Sequence, residues 1–239
     1  YRHSALHCEG LPLSTLAVRY GTPLYVYSRS TILERYRAFD RAFRAQPHTL
    51  CYSVKANSNL AVLGLMARLG AGFDIVSGGE LARVLAAGGD ARKVVFSGVG
   101  KSAAEIEQAL RAGLLCLNLE SEAALARVAS IAARLGVRAP VAFRVNPDVD
   151  AKTHPYISTG LKDNKFGVAY GDAERIYRDA ARHRNVQLIG IGCHIGSQLA
   201  SAAPFVDAAA RILALVERLA SGGIELSHID LGGGFGIRY

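Results

Sequence analysis

From Thr49 onward the chain alternates between short apolar runs and longer stretches with apolar residues at helical spacing. The apolar runs fall at 49–57, 73–77, 93–97, 115–120, 141–147, 188–196 and 228–235, and read as buried strands. Between them, 59–69, 79–87, 103–112, 121–135, 172–182 and 203–219 carry the helical period. Gly70, Gly88, Gly113 and Gly136 fall just past four of these helices, where a left-handed cap is favoured. Strand–helix alternation specifies parallel strands with right-handed crossovers. Seven units without a reversal favour a (β/α)8 TIM-type barrel over a doubly wound sheet. A barrel needs an eighth strand to close, so the expected α/β fold is a barrel whose eighth strand lies outside this chain.

Residues 1–22 are mixed, broken by Gly10, Pro12 and Gly21. Residues 22–27 read as a strand opened by Pro23, outside the barrel series, and Ser28 or Ser30 caps a helix over 30–45. The expected organisation is an N-terminal segment, 1–27, giving a strand to a separate β-domain, followed by the incomplete barrel, 28–239.

Candidate chemistry collects where strands end, because active sites of such barrels lie at the C-terminal rim. The first strand ends in Lys55, a lone cation on an otherwise uncharged run. Desolvation at such a place lowers an amine's pKa and makes it a nucleophile toward an aldehyde; taken alone, the residue reads more readily as a solvated strand end. The second strand carries Asp74, the fifth Arg144 and Asn146, the sixth His194 and Ser197. The seventh ends in Gly232, Gly233 and Gly234, whose consecutive N–H groups can converge on a phosphate. Gly190 and Gly192 share a face with His194 and would leave room for a flat object beside it. An amine, an anion seat and a planar slot at one rim fit a phosphorylated aromatic aldehyde, with pyridoxal 5′-phosphate (PLP) the obvious candidate.

Composition narrows the partners. The 28 Lys and Arg against 20 Asp and Glu give a net charge of +8, yet the basic residues are scattered without interleaved aromatics. Nucleic-acid binding is therefore not expected, nor is a membrane partner, since no apolar run approaches a span. Cys8, Cys51, Cys116 and Cys193 are far apart, none in a CxxC pair, which points to reduced thiols in a cytoplasmic protein with no metal centre.

Several stretches are long and ordered enough to carry a resemblance: YSVKAN at 52–57, FDIVSGGEL at 73–81, FSGVGK at 96–101, LNLESE at 117–122, RVNP at 144–147, HPYISTGLKDNKFG at 154–167, CHIGSQ at 193–198 and LGGGFG at 231–236. Together they resemble the N-terminal part of the alanine-racemase-like, fold-type III PLP-dependent decarboxylases, in particular members acting on diaminopimelate. The resemblance implies that Lys55 forms the Schiff base to PLP and that His194 stacks on the pyridine ring. It implies that Ser197, Gly232, Gly233 and Gly234 hold the phosphate, and that Asp74 and Arg144 line the cofactor. Lys165, Phe166 and Gly167 are implied to lie near the substrate entrance.

The implied reaction is decarboxylation of meso-diaminopimelate to L-lysine, in a homodimer. The family's Glu-Pro-Gly-Arg motif, a later tyrosine and a partner-subunit cysteine are not among the 239 residues, so this stretch alone is expected to be inactive. The rival readings are a sibling decarboxylase of ornithine, arginine, lysine or carboxynorspermidine, a PLP-dependent racemase, and a non-catalytic homologue acting as a binding or regulatory partner.

Overall fold

The computed structural model describes residues 1–2, 4–149 and 166–237. The chain divides into two compact units, Tyr1–Leu50 and Cys51–Tyr239.

In the first unit, β1 (His7–Cys8) and β2 (Leu11–Pro12) form an antiparallel pair, followed by α1 (Leu13–Tyr20) and α2 (Arg29–Phe43). The sequence marks α2 by its serine cap but marks neither the hairpin nor α1, a helix with no buried residue and no side-chain cap. The start of α2 is set by Ser28, whose hydroxyl accepts from the Thr31 N–H at 3.1 Å. Glu9 reinforces it, accepting from the Ser30 N–H at 2.7 Å, a carboxylate placed at a helix N-terminus. Residues 22–27 carry no strand pairing among the described residues.

The second unit is a parallel sheet with its strands in chain order: β3 (Cys51–Ser53), β4 (Gly72–Ile75), β5 (Val94–Phe96), β6 (Cys116–Leu119), β7 (Ala139–Asn146), β9 (Val186–Gly192) and β10 (His228–Asp230). A short β8 (Val168–Ala169) pairs with the far end of β7. All seven expected strands form, curled into the incomplete barrel that the alternation specified. The connecting helices are α3 (Leu60–Arg68), α4 (Gly78–Ala86), α5 (Ala103–Ala112), α6 (Glu122–Leu135), α7 (Tyr170–Ala180) and α8 (Ala203–Ser221). Their starts follow local chemistry. Asn59, Ser77, Ser102 and Ser121 each accept an N–H from the first turn, and Ser102 and Glu105 complete a reciprocal capping box. No described helix is long and apolar enough to cross a membrane.

The strands alternate strictly. Phe73, Ile75, Phe96, Leu117, Leu119 and Phe143 are fully buried or nearly so, and Phe143 packs edge-on against Tyr177 of α7 at 5.2 Å. The opposite, inward face holds an apolar floor of Val95, Cys116 and Ala142. Polar residues lie one step further along each strand. The β7–β9 ladder slips by one residue between Val141 and Ala142. Tyr177 closes that gap: its hydroxyl accepts from the Phe143 N–H at 3.2 Å and donates to the Gly190 carbonyl at 2.8 Å.

Candidate functional site

At the C-terminal rim, the inward polar residues are linked strand to strand. Asp74 on β4 accepts from the Ser97 hydroxyl just past β5 at 2.6 Å, and from Ser53 on β3 at a long 3.4 Å. The Asn118 amide on β6 donates to Ser97 Oγ at 3.2 Å and to Asp230 Oδ2 on β10 at 3.3 Å. Lys101 is buried under this row, its Nζ donating to the carbonyls of Gly98 and Asn118 at 2.5 and 2.6 Å. Burial lowers the Lys101 pKa to about 8, opposed by the negative charge of Glu120.

Lys55 does not end a strand. β3 stops at Ser53, and Lys55 sits in a single 3-10 turn, Val54–Ala56, with its side chain exposed. The expected desolvation is therefore not supplied by this chain. The residue still faces the row of polar groups: its charge favours ionised Asp74 and opposes protonation of His194. Burial raises the Asp74 pKa, and the Ser97 hydrogen bond works against that rise. His194 is pushed down to about 4, first by burial and then by the positive charges of Arg144 and Lys55, so its imidazole is neutral at physiological pH.

Arg144 lies inward on β7, 3.9 Å from Glu120, with Phe166 against its guanidinium at 5.4 Å. Gly167 packs onto the Arg144 carbonyl: a Cβ there would lie 2.8 Å from it. Phe166 and Gly167 thus gather at Arg144; Lys165 lies outside the described residues. Arg144 Nε and Nη2 are buried without a hydrogen-bond partner, which leaves donors aimed at something that the protein atoms do not supply.

The glycine run lies directly against the His194–Ser197 loop. Cys193 N–H donates to the Asp230 carbonyl at 2.8 Å and Leu199 N–H to the Gly234 carbonyl at 2.9 Å, so the two loops run side by side. Gly232 (φ +72°) and Gly234 (φ +91°) are in the left-handed region. A Cβ on Gly232 would lie 2.6 Å from the Cys193 carbonyl, and one on Gly234 would overlap the Gly196 carbonyl and approach Ser197 Cα at 3.2 Å. The three N–H groups do not converge as expected of a simple cradle. Gly232 N–H donates to Asp230 Oδ1 at 2.7 Å, and Gly233 N–H to His194 Nδ1 at 3.4 Å. The latter bond requires an unprotonated Nδ1, in keeping with the neutral ring.

Gly190 and Gly192 serve a different end from the one read in the sequence. The space over Gly190 is filled by the His228 ring, which a Cβ would strike, and Gly192 admits the side chain of Asp230 at 3.5 Å. They make room for side chains of β10, not for a flat object beside His194. Ser97, Lys101, Asn118, Glu120 and Asp230 were not singled out from the sequence. The signal was available for Asn118 and Asp230: each is a polar residue at an inward position of an apolar strand.

A phosphorylated aromatic aldehyde fits these residues. Orphaned donors of Arg144, a neutral imidazole and a glycine loop closed to side chains at Gly232 and Gly234 follow one another along β7, β9 and β10, and an amine stands at the same rim past β3.

Comparison with known proteins follows the same line. Residues 29–239 match the family model of the pyridoxal-dependent decarboxylase, pyridoxal binding domain. Diaminopimelate decarboxylase of Pseudomonas fluorescens is 60% identical over 240 residues, spanning 100% of this chain and 58% of its own length. The crystal structure of diaminopimelate decarboxylase from Helicobacter pylori, complexed with L-lysine, superposes with a TM-score of 0.92 at 43% identity, covering 95% of this chain and 58% of that one. Lysine decarboxylase from Selenomonas ruminantium is more distant, with a TM-score of 0.84 at 25% identity over 98% of this chain and 58% of its own. The chain thus spans a little over half the length of the relatives it matches. By its fold, its rim and these matches, the chain belongs to the family of pyridoxal-dependent decarboxylases, as their pyridoxal-binding domain with PLP as cofactor.

Proposed function

We propose that the protein decarboxylates meso-diaminopimelate to L-lysine, with Lys55 as the amine that holds the cofactor. The carrying observation is the 60% identity to a diaminopimelate decarboxylase along the whole chain. The lysine-bound relative of 43% identity supports an amino-acid ligand of this class. PLP supplies the electron sink that lets a bond at the substrate's α-carbon break. Every other requirement falls to side chains.

Lys55, exposed at the rim, presents its amine to an incoming aldehyde and is the group that can hand a proton back to the site. His194 offers a neutral, flat face, its orientation tied to the glycine loop through Nδ1. Ser197 and the loop of Gly232, Gly233 and Gly234 seat the phosphate, with the Gly234 N–H the one of the three not donating to Asp230 or His194. Asp74, whose pKa is raised by burial against the opposing pull of Ser97 and the Lys55 charge, lines the cofactor on the side of the amine. Arg144 directs its two orphaned donors toward the cofactor, and Phe166 covers it from the entrance side. In net terms the substrate loses CO2 from one carbon and gains a proton there. We further place the enzyme in the cytoplasm as a homodimer, with residues 1–27 lending a strand to a β-domain; the unpaired thiols support a reducing compartment.

Borohydride reduction in the presence of PLP, followed by peptide mass mapping, should find a pyridoxyl group on Lys55 and none in Lys55→Ala. A label on another lysine, or no label, would remove the assignment. Turnover of ornithine, arginine, lysine or carboxynorspermidine in preference to meso-diaminopimelate would overturn the substrate.

A further inference from the structure

The glycine loop does not hold its shape alone. We infer that Asp230 is a positioning residue, which sets the loop for a phosphate by binding Gly232 from below; the inference rests on reading that loop as the phosphate seat. Asp230 ends β10, where its carbonyl takes the Cys193 N–H at 2.8 Å and its backbone pairs with Gly192. Its side chain lies over Gly192, which has no Cβ to displace it. One carboxylate oxygen accepts the Gly232 N–H at 2.7 Å and the other the Asn118 amide at 3.3 Å.

Both ends of this clamp are anchored. Asn118 is buried and is tied in turn to Ser97, so Oδ2 meets a donor that cannot drift. The short bond to Gly232 holds that residue at φ +72° and directs its N–H inward to the carboxylate. Gly233 then reaches His194, and the next residue, Gly234, packs against Gly196 and Ser197. A carboxylate beside an anion seat repels an anion, so its presence calls for a geometric reason. Holding Gly232 supplies it: a charge-assisted bond spent on the loop before the ligand arrives lowers the ordering cost of binding.

The test compares PLP with pyridoxal, which lacks the phosphate, by equilibrium dialysis on the purified natural protein. Asp230→Ala should weaken PLP binding roughly tenfold or more while pyridoxal changes by less than about twofold. Asp230→Asn, which keeps an oxygen for the Gly232 N–H, should restore most of the PLP preference. Equal weakening of both ligands by Asp230→Ala, or PLP binding as tight as in the unmodified protein, would overturn the inference. If Asp230→Ala does not fold, Asp230→Glu makes the same comparison, because one methylene displaces the acceptor: a reduced PLP-to-pyridoxal ratio supports the role and an unchanged ratio overturns it. An unmodified protein with no preference for PLP over pyridoxal would instead sink the phosphate reading itself, and this inference with it.

Discussion

An alanine scan of the three loop glycines separates the geometry seen here from a generic flexible turn. Gly232→Ala carries two costs. The left-handed backbone costs an L-residue about 1–2 kcal/mol. Its Cβ would also lie 2.6 Å from the Cys193 carbonyl and 2.8 Å from His194 Nδ1. The Cys193 backbone cannot retreat freely, since its N–H is held by the Asp230 carbonyl at the end of the β9–β10 ladder. Gly232 must move instead and give up its bond to Asp230, worth about 1.5–3 kcal/mol for a charged acceptor. The sum is about 2.5–5 kcal/mol against the closed loop, and 1.4 kcal/mol is a tenfold change, so PLP affinity should fall about sixtyfold or more. Gly234→Ala should be at least as damaging, because its Cβ would overlap the Gly196 carbonyl. Gly233→Ala is the internal control. Nothing lies within 4 Å of its Cβ position and its φ is not in the left-handed region, so affinity and stability should stay within about 0.5 kcal/mol of the unmodified protein. Dialysis against PLP, with urea unfolding of the same samples, measures both quantities. A Gly233→Ala defect as large as that of Gly232→Ala, or a harmless Gly232→Ala, would refute the reasoning.

Two further outcomes follow from the packing and the charges. Tyr177→Phe should lower stability by about 2 kcal/mol in urea unfolding, since it strands the buried Phe143 N–H and Gly190 carbonyl at the slip between β7 and β9; an unchanged midpoint would mean that the slip is closed in another way. His194 has its pKa lowered from 6.5 to about 4, so only the unfolded chain takes up its proton between those values. Stability of the cofactor-free protein should therefore fall as pH drops from about 6.5 toward 4, and His194→Gln should flatten that limb, with a limb of unchanged steepness counting against a buried neutral ring.

The alternation of apolar runs and amphipathic stretches determined the architecture because each rests on local periodicity. Strands buried on both faces leave continuous apolar runs, helices packed on one side leave a repeat, and serines before helices leave caps; all seven strands form where these signals lie. Lys55, Asp74, His194 and the glycine run were legible because they stand out chemically in or just past apolar runs, and the resemblance of their motifs supplied a family. Two kinds of feature were not legible. The hairpin and α1 bury too little apolar surface to impose a period on the sequence. The linkages of the rim depend on which strand lies beside which and on register. Asp230 reaches Asn118 across 112 positions of chain only because the sheet curls, and Gly190 makes room for His228 only because those two residues are paired in the β9–β10 ladder. Side-chain types and spacings are one-dimensional properties that a sequence states outright; which N–H meets the Asp230 carboxylate, and which glycine faces which carbonyl, are distances in space, and those the tertiary structure alone decided.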